Sequence, residues 1–565
     1  MSQKQANRRI RLLLALFVLV FAGTAARAVW LQGVEAGPLG ARAQAQHRET
    51  LPIPASRGTI YDRDGVQLAI GEQATTVYAD PQQVRSPLAI ARAAQQIFGR
   101  KVANADRLYP ELRDRSRQFV YIARKADPAV AARFVKRGFD GVGVSAEERR
   151  FYPQHSVGAS VLGFAGIDNQ GIAGIEYGYD KLLSGKPGVE TIVKDPFGRA
   201  LDTISSTPER EGSDLYLTID HTIQAEAESV LRQTLHQWGG KGASAIVLDP
   251  RTGEVLAMAD APGYDANKFG SVNPAISRNR AVTDQYEPGS TFKLVTVSAA
   301  LSEGLVTPRT RFVLPYRIHV ADRTIEDAEP RGTETLSVAQ ILSHSSNVGA
   351  VTIAEKLGKA RLMDWIERWG FGKRTGIDYP GESSGSVLPL DRWSGSTIGN
   401  VPIGQGIAVT PLQMASAYAT VANGGVWIQP HLAKRVSGHR LPKPQRRRIL
   451  SPGVDSEISA MLQNVVADGT GTQAQIPGYK VAGKTGTAQV PGPNGYEPGK
   501  YVASFVGFVP ASKPRLVVLV KVREPTKAIW GGTVAAPAFA EIARFCLQYL
   551  EIPPDAKTGS AQARS

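Results

Sequence analysis

The sequence is poor in the residues that support disulfide or metal chemistry. Cys546 is the only cysteine in 565 residues, which excludes an intramolecular disulfide. It falls in an apolar-periodic stretch over 535–550 and reads as a small core side chain rather than a nucleophile. Eight histidines are scattered without an HExxH or CxxC partner. No metal site and no cofactor are expected. Acidic residues are outnumbered, 51 against 66 basic, for a net charge of +15. That excess suits nucleic acid, an acidic membrane surface or an acidic polymer, or is simply a solvated basic surface. No RNP or zinc-finger motif supports the first, so no nucleic-acid partner is expected. No internal repeat is visible. The composition is globular, with 42% apolar residues, and the length calls for two to four domains.

The N-terminus carries a membrane signal. Lys4, Arg8, Arg9 and Arg11 precede an apolar run over 12–26, and weaker apolar character continues to Val34 past Arg27 and Gln32. The run approaches the ~20 residues a helix needs to span a bilayer. The basic flank predicts a cytoplasmic N-terminus and an exported remainder. Arg27 can snorkel and Trp30 suits the interface. Ala26-Arg27-Ala28 has the small-x-small form of a signal cleavage site, but the Arg within it and the apolar residues after it favour a retained anchor. Both readings export the rest of the chain.

The expected organisation is a cytoplasmic tail over 1–11, a transmembrane helix over 12–34, a stalk and pedestal domain over 35–211, a second domain over 212–552 and a disordered tail over 553–565. Residues 35–56, rich in Ala, Gln, Arg and Pro, read as the stalk. Arg57-Gly-Thr-Ile-Tyr-Asp-Arg-Asp-Gly65 then shows a short strand pattern and an Asp-Gly turn. In the second domain, 215–219 reads as a strand, and Asp220 as the cap of a helix running to about Trp238. Residues 243–248 and 254–259 read as a hairpin around Asp249-Pro-Arg-Thr-Gly253, and 503–509 and 516–522 as another around 510–514. A helical pattern over 535–550 closes the domain. Strands at both ends of a helical middle imply an α+β fold: an antiparallel sheet joining the two ends, flanked by helices.

The chemistry is carried by three ordered motifs. Tyr286-Glu-Pro-Gly-Ser-Thr-Phe-Lys293 places Ser290 at a helix N-terminus and Lys293 on the same face one turn later. A serine hydroxyl needs a base, and a lysine kept neutral by burial and nearby positive charge serves as one. The helix N-terminus offers free N–H groups to a developing oxyanion. Ser345-Ser-Asn347 precedes a helical run over 348–357. Lys484-Thr-Gly486 lies in an extended segment over 479–490. The order S-x-x-K, S-x-N, K-T-G is far more specific than any one motif. Ser271-Val-Asn273 and Ser277-Arg-Asn279 also fit S-x-N but precede Ser290, and Lys557-Thr-Gly559 lies in the polar tail. In this reading Ser345 relays a proton, Asn347 holds a substrate amide and fixes Lys293, and Lys484 and Thr485 dock a terminal carboxylate. Gly486 admits the substrate to the strand backbone. The N–H groups of Ser290 and Thr487 form the oxyanion hole. Together they suit acyl transfer from a peptide with a free C-terminal carboxylate.

These motifs resemble the class B penicillin-binding proteins, and the resemblance covers nearly the whole chain. Arg57–Gly65 looks like the start of their pedestal (dimerisation-type) domain, and Gly171-Ile-Ala-Gly-Ile-Glu176 matches another pedestal signature. Gly404-Gln-Gly-Ile-Ala-Val-Thr-Pro-Leu-Gln413 and Trp530-Gly-Gly532 recur in their transpeptidase domain. Tyr286-Glu-Pro-Gly looks more like the septal division type than the elongation type. The resemblance implies a penicillin-binding transpeptidase fold and D,D-transpeptidation of peptidoglycan stem peptides ending in D-Ala-D-Ala. It implies acylation of Ser290 by β-lactams, and Trp530 as a wall of the acyl pocket, with a packing role as the alternative. It further implies work at the inner membrane with a shape-elongation-division-sporulation (SEDS) glycosyltransferase and other divisome membrane proteins. No glycosyltransferase domain is apparent before Ser290, so the chain is expected to cross-link and not to polymerise. The same Ser/Lys site would serve a D,D-carboxypeptidase or β-lactamase, an elongation or sporulation enzyme, or a non-catalytic divisome scaffold, and these alternatives stand at this stage.

Overall fold

A computed structural model describes residues 3–33, 37, 48–194, 200–493 and 495–556. Much of the expected stalk, the end of the tail and Lys557-Thr-Gly559 lie outside them. The chain divides into two compact units. One comprises Met1–Ser56 and Gly185–Glu211, the other Arg57–Ser184 and Gly212–Ser565.

The first unit holds the helix Gln3–Gly33, which runs through Arg27 and Gln32 without a break. It is long and apolar enough to cross a membrane, and its Leu and Phe side chains over 12–21 are exposed. The unit also contains an antiparallel three-stranded sheet in the order Arg48–Ile53, Gly188–Lys194, Ala200–Thr207.

In the second unit, Arg57 is buried at the start of the pedestal portion. Its guanidinium pairs with Glu176 and Asp180, at 2.7 Å each. It also donates to the carbonyls of Asn169 and Glu176, each at 2.8 Å, and to the Ser184 hydroxyl at 2.9 Å. The two pedestal signatures of the sequence therefore meet at one ion pair. A mixed six-stranded sheet follows. Its central path runs Ala433–Val436, Leu215–Leu217, Ile60–Tyr61, Gln67–Ala79, Val120–Ala126, and Val142–Phe151 pairs with the long strand Gln67–Ala79. Leu215–Leu217 pairs with Ile60–Tyr61 on one side and with Ala433–Val436 on the other. This sheet thus draws strands from both sides of residue 212.

The catalytic region is built on a five-stranded antiparallel sheet in the order Val255–Ala261, Gly242–Leu248, Leu516–Arg523, Gly495–Val509, Ala482–Gly492. Successive side chains of a strand point to opposite faces. Ala243, Ala245 and Val247 accordingly join a core with the helices His221–Trp238 and Ala536–Tyr549, while Ile246 and Leu248 join the larger core with Phe292, Leu294, Val295 and Met414. Both faces are covered, so Gly242–Leu248 and Val255–Ala261 are buried at every position and read as plain apolar runs. Asp220 caps His221–Trp238, accepting from the N–H groups of Thr222 and Ile223. Cys546 is fully buried in this layer, and burial pushes its thiol up.

Two local expectations differ from the structure. The strand expected from 479 begins at Ala482, because Tyr479 closes a turn onto Ile476 and Lys480 donates its N–H to Asp555 at 2.7 Å. The tail expected to be loose from 553 is held at its start, where Asp555 also accepts from the Ser512 N–H at 3.1 Å and hydroxyl at 2.6 Å. The Ala556 N–H also donates to the Gly478 carbonyl at 3.1 Å, and Tyr479 Oη to the Ile552 carbonyl at 2.5 Å, so several bonds pin the chain there.

Candidate active site

The nucleophile turn is clamped from two sides. Tyr286 exchanges both backbone hydrogen bonds with Val409, at 2.9 Å each, and Gly289 donates its N–H to the Gly404 carbonyl at 3.1 Å. Gly289 has φ +55°, and a Cβ there would lie 2.8 Å from the Thr487 carbonyl oxygen. Only glycine permits both the left-handed backbone and that approach. Gly289–Phe292 forms one 3-10 turn that continues into the helix Lys293–Ser302, so Ser290 sits in the first turn, where N–H groups lack intrahelical acceptors. Ser290 is half-buried, and among the described residues no protein group hydrogen-bonds its hydroxyl.

Lys293 is fully buried. Its Nζ lies 2.5 Å from the Ser345 carbonyl, 2.8 Å from Asn347 Oδ1 and 3.3 Å from Ser345 Oγ. Ser345 adopts φ +60°, a left-handed conformation costly for a non-glycine residue. The helix Asn347–Leu357 that follows is capped by Asp327. This carboxylate accepts from the N–H of Asn347 at 2.6 Å, the N–H of Val348 at 3.0 Å and the Ser346 hydroxyl at 3.0 Å, and it is paired with Arg331. The Asn347 amide is oriented at both ends, since its Nδ2 donates to the Glu326 carbonyl at 2.9 Å.

Lys484 reaches the same hydroxyl from the sheet edge. Its Nζ is 2.9 Å from Ser345 Oγ, 3.1 Å from Thr485 Oγ1 and 3.5 Å from Thr470 Oγ1. Thr470 and Thr485 share a hydrogen bond of 2.8 Å. A Cβ on Gly486 would meet Ser504 Oγ at 2.4 Å and the Pro288 carbonyl at 2.8 Å, so this strand lies flush against the serine turn. Thr487 Oγ1 accepts the Gly531 N–H at 3.0 Å. Trp530, just before Gly531, is 49% exposed.

Burial drives both lysines toward neutrality. Lys293 is pushed down to about 7, with the Asp327 carboxylate opposing the shift. Lys484 is pushed well down by burial and then by the charge of Lys293. A neutral Lys293 amine can satisfy its N–H groups on the two carbonyl-type oxygens and keep a lone pair for a proton. The site thus couples Lys293, Ser345, Asn347 and Lys484 in one hydrogen-bonded chain, with the Ser290 and Thr487 backbones beside it.

Sequence reasoning assigned no part here to Asp327, Thr470 or Glu287. Glu287 accepts from the Gly406 N–H and from Tyr496 Oη, at 2.9 Å each, and burial pushes its carboxyl up. Glu287 stood inside the quoted serine motif. Asp327 and Thr470 lie in loops without a local pattern. The two early S-x-N matches prove to be helix caps, with Asn273 and Asn279 accepting from the N–H groups of Ala275 and Ala281.

With this geometry in place, the family comparison is decisive. The penicillin-binding protein transpeptidase domain matches residues 243–544, and the penicillin-binding protein dimerisation domain matches residues 52–217. The chain belongs to the penicillin-binding proteins. It is 34% identical to the peptidoglycan D,D-transpeptidase FtsI of Escherichia coli over 97% of this chain and 93% of that one. It is 33% identical to a probable peptidoglycan D,D-transpeptidase, PbpC, of Pseudomonas aeruginosa (98% and 97%), and 34% identical to the stage V sporulation protein D of Bacillus subtilis (98% and 87%). Among solved structures, penicillin-binding protein 3 of Mycobacterium tuberculosis in complex with aztreonam superposes with a TM-score of 0.71 at 29% identity, covering 90% of this chain and 98% of that one. A peptidoglycan synthetase from Bifidobacterium adolescentis gives 0.73 at 29% identity, with 91% and 99% covered. The fold is therefore the penicillin-binding transpeptidase fold with a pedestal domain. The apolar N-terminal helix and the FtsI relatives point to a membrane-anchored protein.

Proposed function

We propose that this penicillin-binding protein is a serine D,D-transpeptidase that cross-links peptidoglycan stem peptides during septal wall synthesis. The observation that carries the reading is the Ser345 hydroxyl held between the amines of Lys293 and Lys484 beside the Ser290 turn. Ser290 Oγ attacks the carbonyl between two D-alanines while its proton passes to Lys293. The oxyanion is held by the N–H groups of Ser290 and Thr487. The peptide C–N bond then breaks, and the D-Ala amine takes a proton through Ser345. An amine of a neighbouring stem peptide attacks the acyl-enzyme and releases Ser290. Lys484 and Thr485 dock the substrate carboxylate, Gly486 admits its backbone, Asn347 fixes Lys293 and faces the substrate amide, and Trp530 walls the acyl pocket. A β-lactam would acylate the same hydroxyl.

The proposed topology is a single-pass anchor with Lys4, Arg8, Arg9 and Arg11 in the cytoplasm and the catalytic domain outside. In this setting the partners are a SEDS-type glycosyltransferase and other divisome membrane proteins. The proposed organisation is a pedestal followed by a transpeptidase domain from about residue 212. FtsI-named relatives at 34% identity support the septal assignment. The test is labelling by a fluorescent penicillin. Ser290→Ala is expected to abolish it, whereas retained labelling would overturn the assignment. A fluorescent fusion that fails to collect at division sites would overturn the septal role.

A further inference from the structure

Behind the nucleophile turn lies a second cavity of about 480 Å³, lined among others by Trp369, Arg374, Ser416, Trp427, Arg446 and Arg447. Its walls are rich in donors. Trp369 is 5% exposed and Ser416 4%, yet among the described residues neither the indole Nε1 nor the Ser416 hydroxyl has a protein partner. Buried polar atoms without partners are rare in folded proteins and point to an occupant. The cavity's charge is one-sided. Among the described residues Arg374, Arg446 and Arg447 have no carboxylate within ion-pair distance, and Lys373 has only Glu367, at 3.9 Å. Arg447 stacks over Trp427 at 5.3 Å. Burial and the charge of Arg368 push its guanidinium down, as expected for a cation lacking an anion.

We propose that this cavity binds a small oxyanion-bearing molecule, a carboxylate or a phosphate on a body no larger than a disaccharide. The guanidinium of Arg447, held over Trp427, and those of Arg446 and Arg374 elsewhere on the lining supply charge-assisted donors to an oxyanion. Trp369 Nε1 and Ser416 Oγ supply the inner contacts. The site is separate from the transpeptidase pocket but touches its support. Phe371, another wall residue, packs edge-on against Phe292 with ring centroids 5.2 Å apart, and the helix Pro411–Ala422, which carries Ser416, holds the Thr291 carbonyl through Tyr418 Oη at 3.0 Å.

The test is calorimetric titration of the full chain in detergent with inorganic phosphate, with N-acetylmuramate as a sugar-borne carboxylate, and with uncharged N-acetylglucosamine as the control. Saturable binding of either anion, and not of the neutral sugar, is expected. Whichever anion binds identifies the source. R446E/R447E should weaken binding at least tenfold while penicillin acylation of Ser290 without added anion stays at the parent rate. Ser416→Ala, a smaller change, should weaken it severalfold. Absence of saturable anion binding, or binding indifferent to all these substitutions, would overturn the proposal and leave a water-filled cavity.

Discussion

Lys484 Nζ and Ser345 Oγ lie 2.9 Å apart, although 139 positions separate them in the chain. This contact joins the sheet edge to the left-handed turn before the helix Asn347–Leu357, and the same hydroxyl faces Lys293 at 3.3 Å. Ser345→Ala should therefore remove the one side-chain oxygen that, among the described residues, the two amines share. Penicillin acylation is expected to slow by roughly 100-fold or more, in the range typical for a lost proton-transfer group. The unchanged melting curve of the variant would separate this from misfolding.

The acylation rate should rise with pH through about 7, where Lys293 loses its proton. The Asp327 carboxylate favours the charged ammonium. Asp327→Asn retains an oxygen to cap the helix but removes the charge, so the midpoint should move to lower pH. A pH–rate profile of β-lactam acylation for the two proteins checks the direction of the shift.

Gly531 fits because it has no side chain. A Cβ there would lie 2.3 Å from the carbonyl oxygens of both Gly486 and Ser504. Gly531→Ala must push the strand Ala482–Gly492 away from its seat, at a cost of about 1–3 kcal/mol. Acylation should fall further than stability does, because the displaced strand carries Lys484. Thermal melts and acylation rates measured side by side test this.

Arg57→Ala should destabilise the pedestal severely. The guanidinium and the Glu176 carboxylate are about 1% and 0% exposed, and removal of one partner leaves a buried charge with less compensation. The usual cost is about 3–5 kcal/mol. Arg150, 2.6 Å from the other Glu176 oxygen, should soften the loss without cancelling it. A lowered pedestal transition by calorimetry, with Ser290 still reactive toward penicillin below it, is the expected result.

Glu228 gives a pH-dependent stability with a definite sign. Burial raises its carboxyl from about 4.5 to about 7. The folded chain therefore holds a proton that the unfolded chain has already lost, and stability falls as pH rises between those values. Glu228→Gln keeps an oxygen for the Gly158 N–H and for Gln224. It should stabilise by on the order of 2 kcal/mol at pH 8 and by little at pH 4. Melts at the two pH values decide it.

The elements most legible in the sequence are those whose signals are local. Asp220 announced its helix because a cap is read from its immediate neighbours, and the hairpin at Asp249 because its turn residues are contiguous. The Ser290–Lys293 pair was legible because one helical turn sets the distance. The partners that converge on the site from separate loops were not. Asp327 caps a helix 20 residues downstream, and Thr470 meets Thr485 across 15 residues, with no periodicity linking either pair. Arg57 and Glu176 were each noticed, but their pairing across 119 residues became visible only in the fold. A strand was expected over 215–219 in the second domain and is found at Leu215–Leu217; its bonds to Ile60–Tyr61 depend on sheet order, which no local pattern encodes.

Gly242–Leu248 is hydrogen-bonded between Val255–Ala261 and Leu516–Arg523, so the sheet's earliest strand waits for one of its last. At ordinary ribosomal speeds that interval is roughly tens of seconds. During this time a nascent chain carries Ser290 and Lys293 without Lys484 or the closing strands, so the pocket around the serine is assembled only when the last part of the sheet is made.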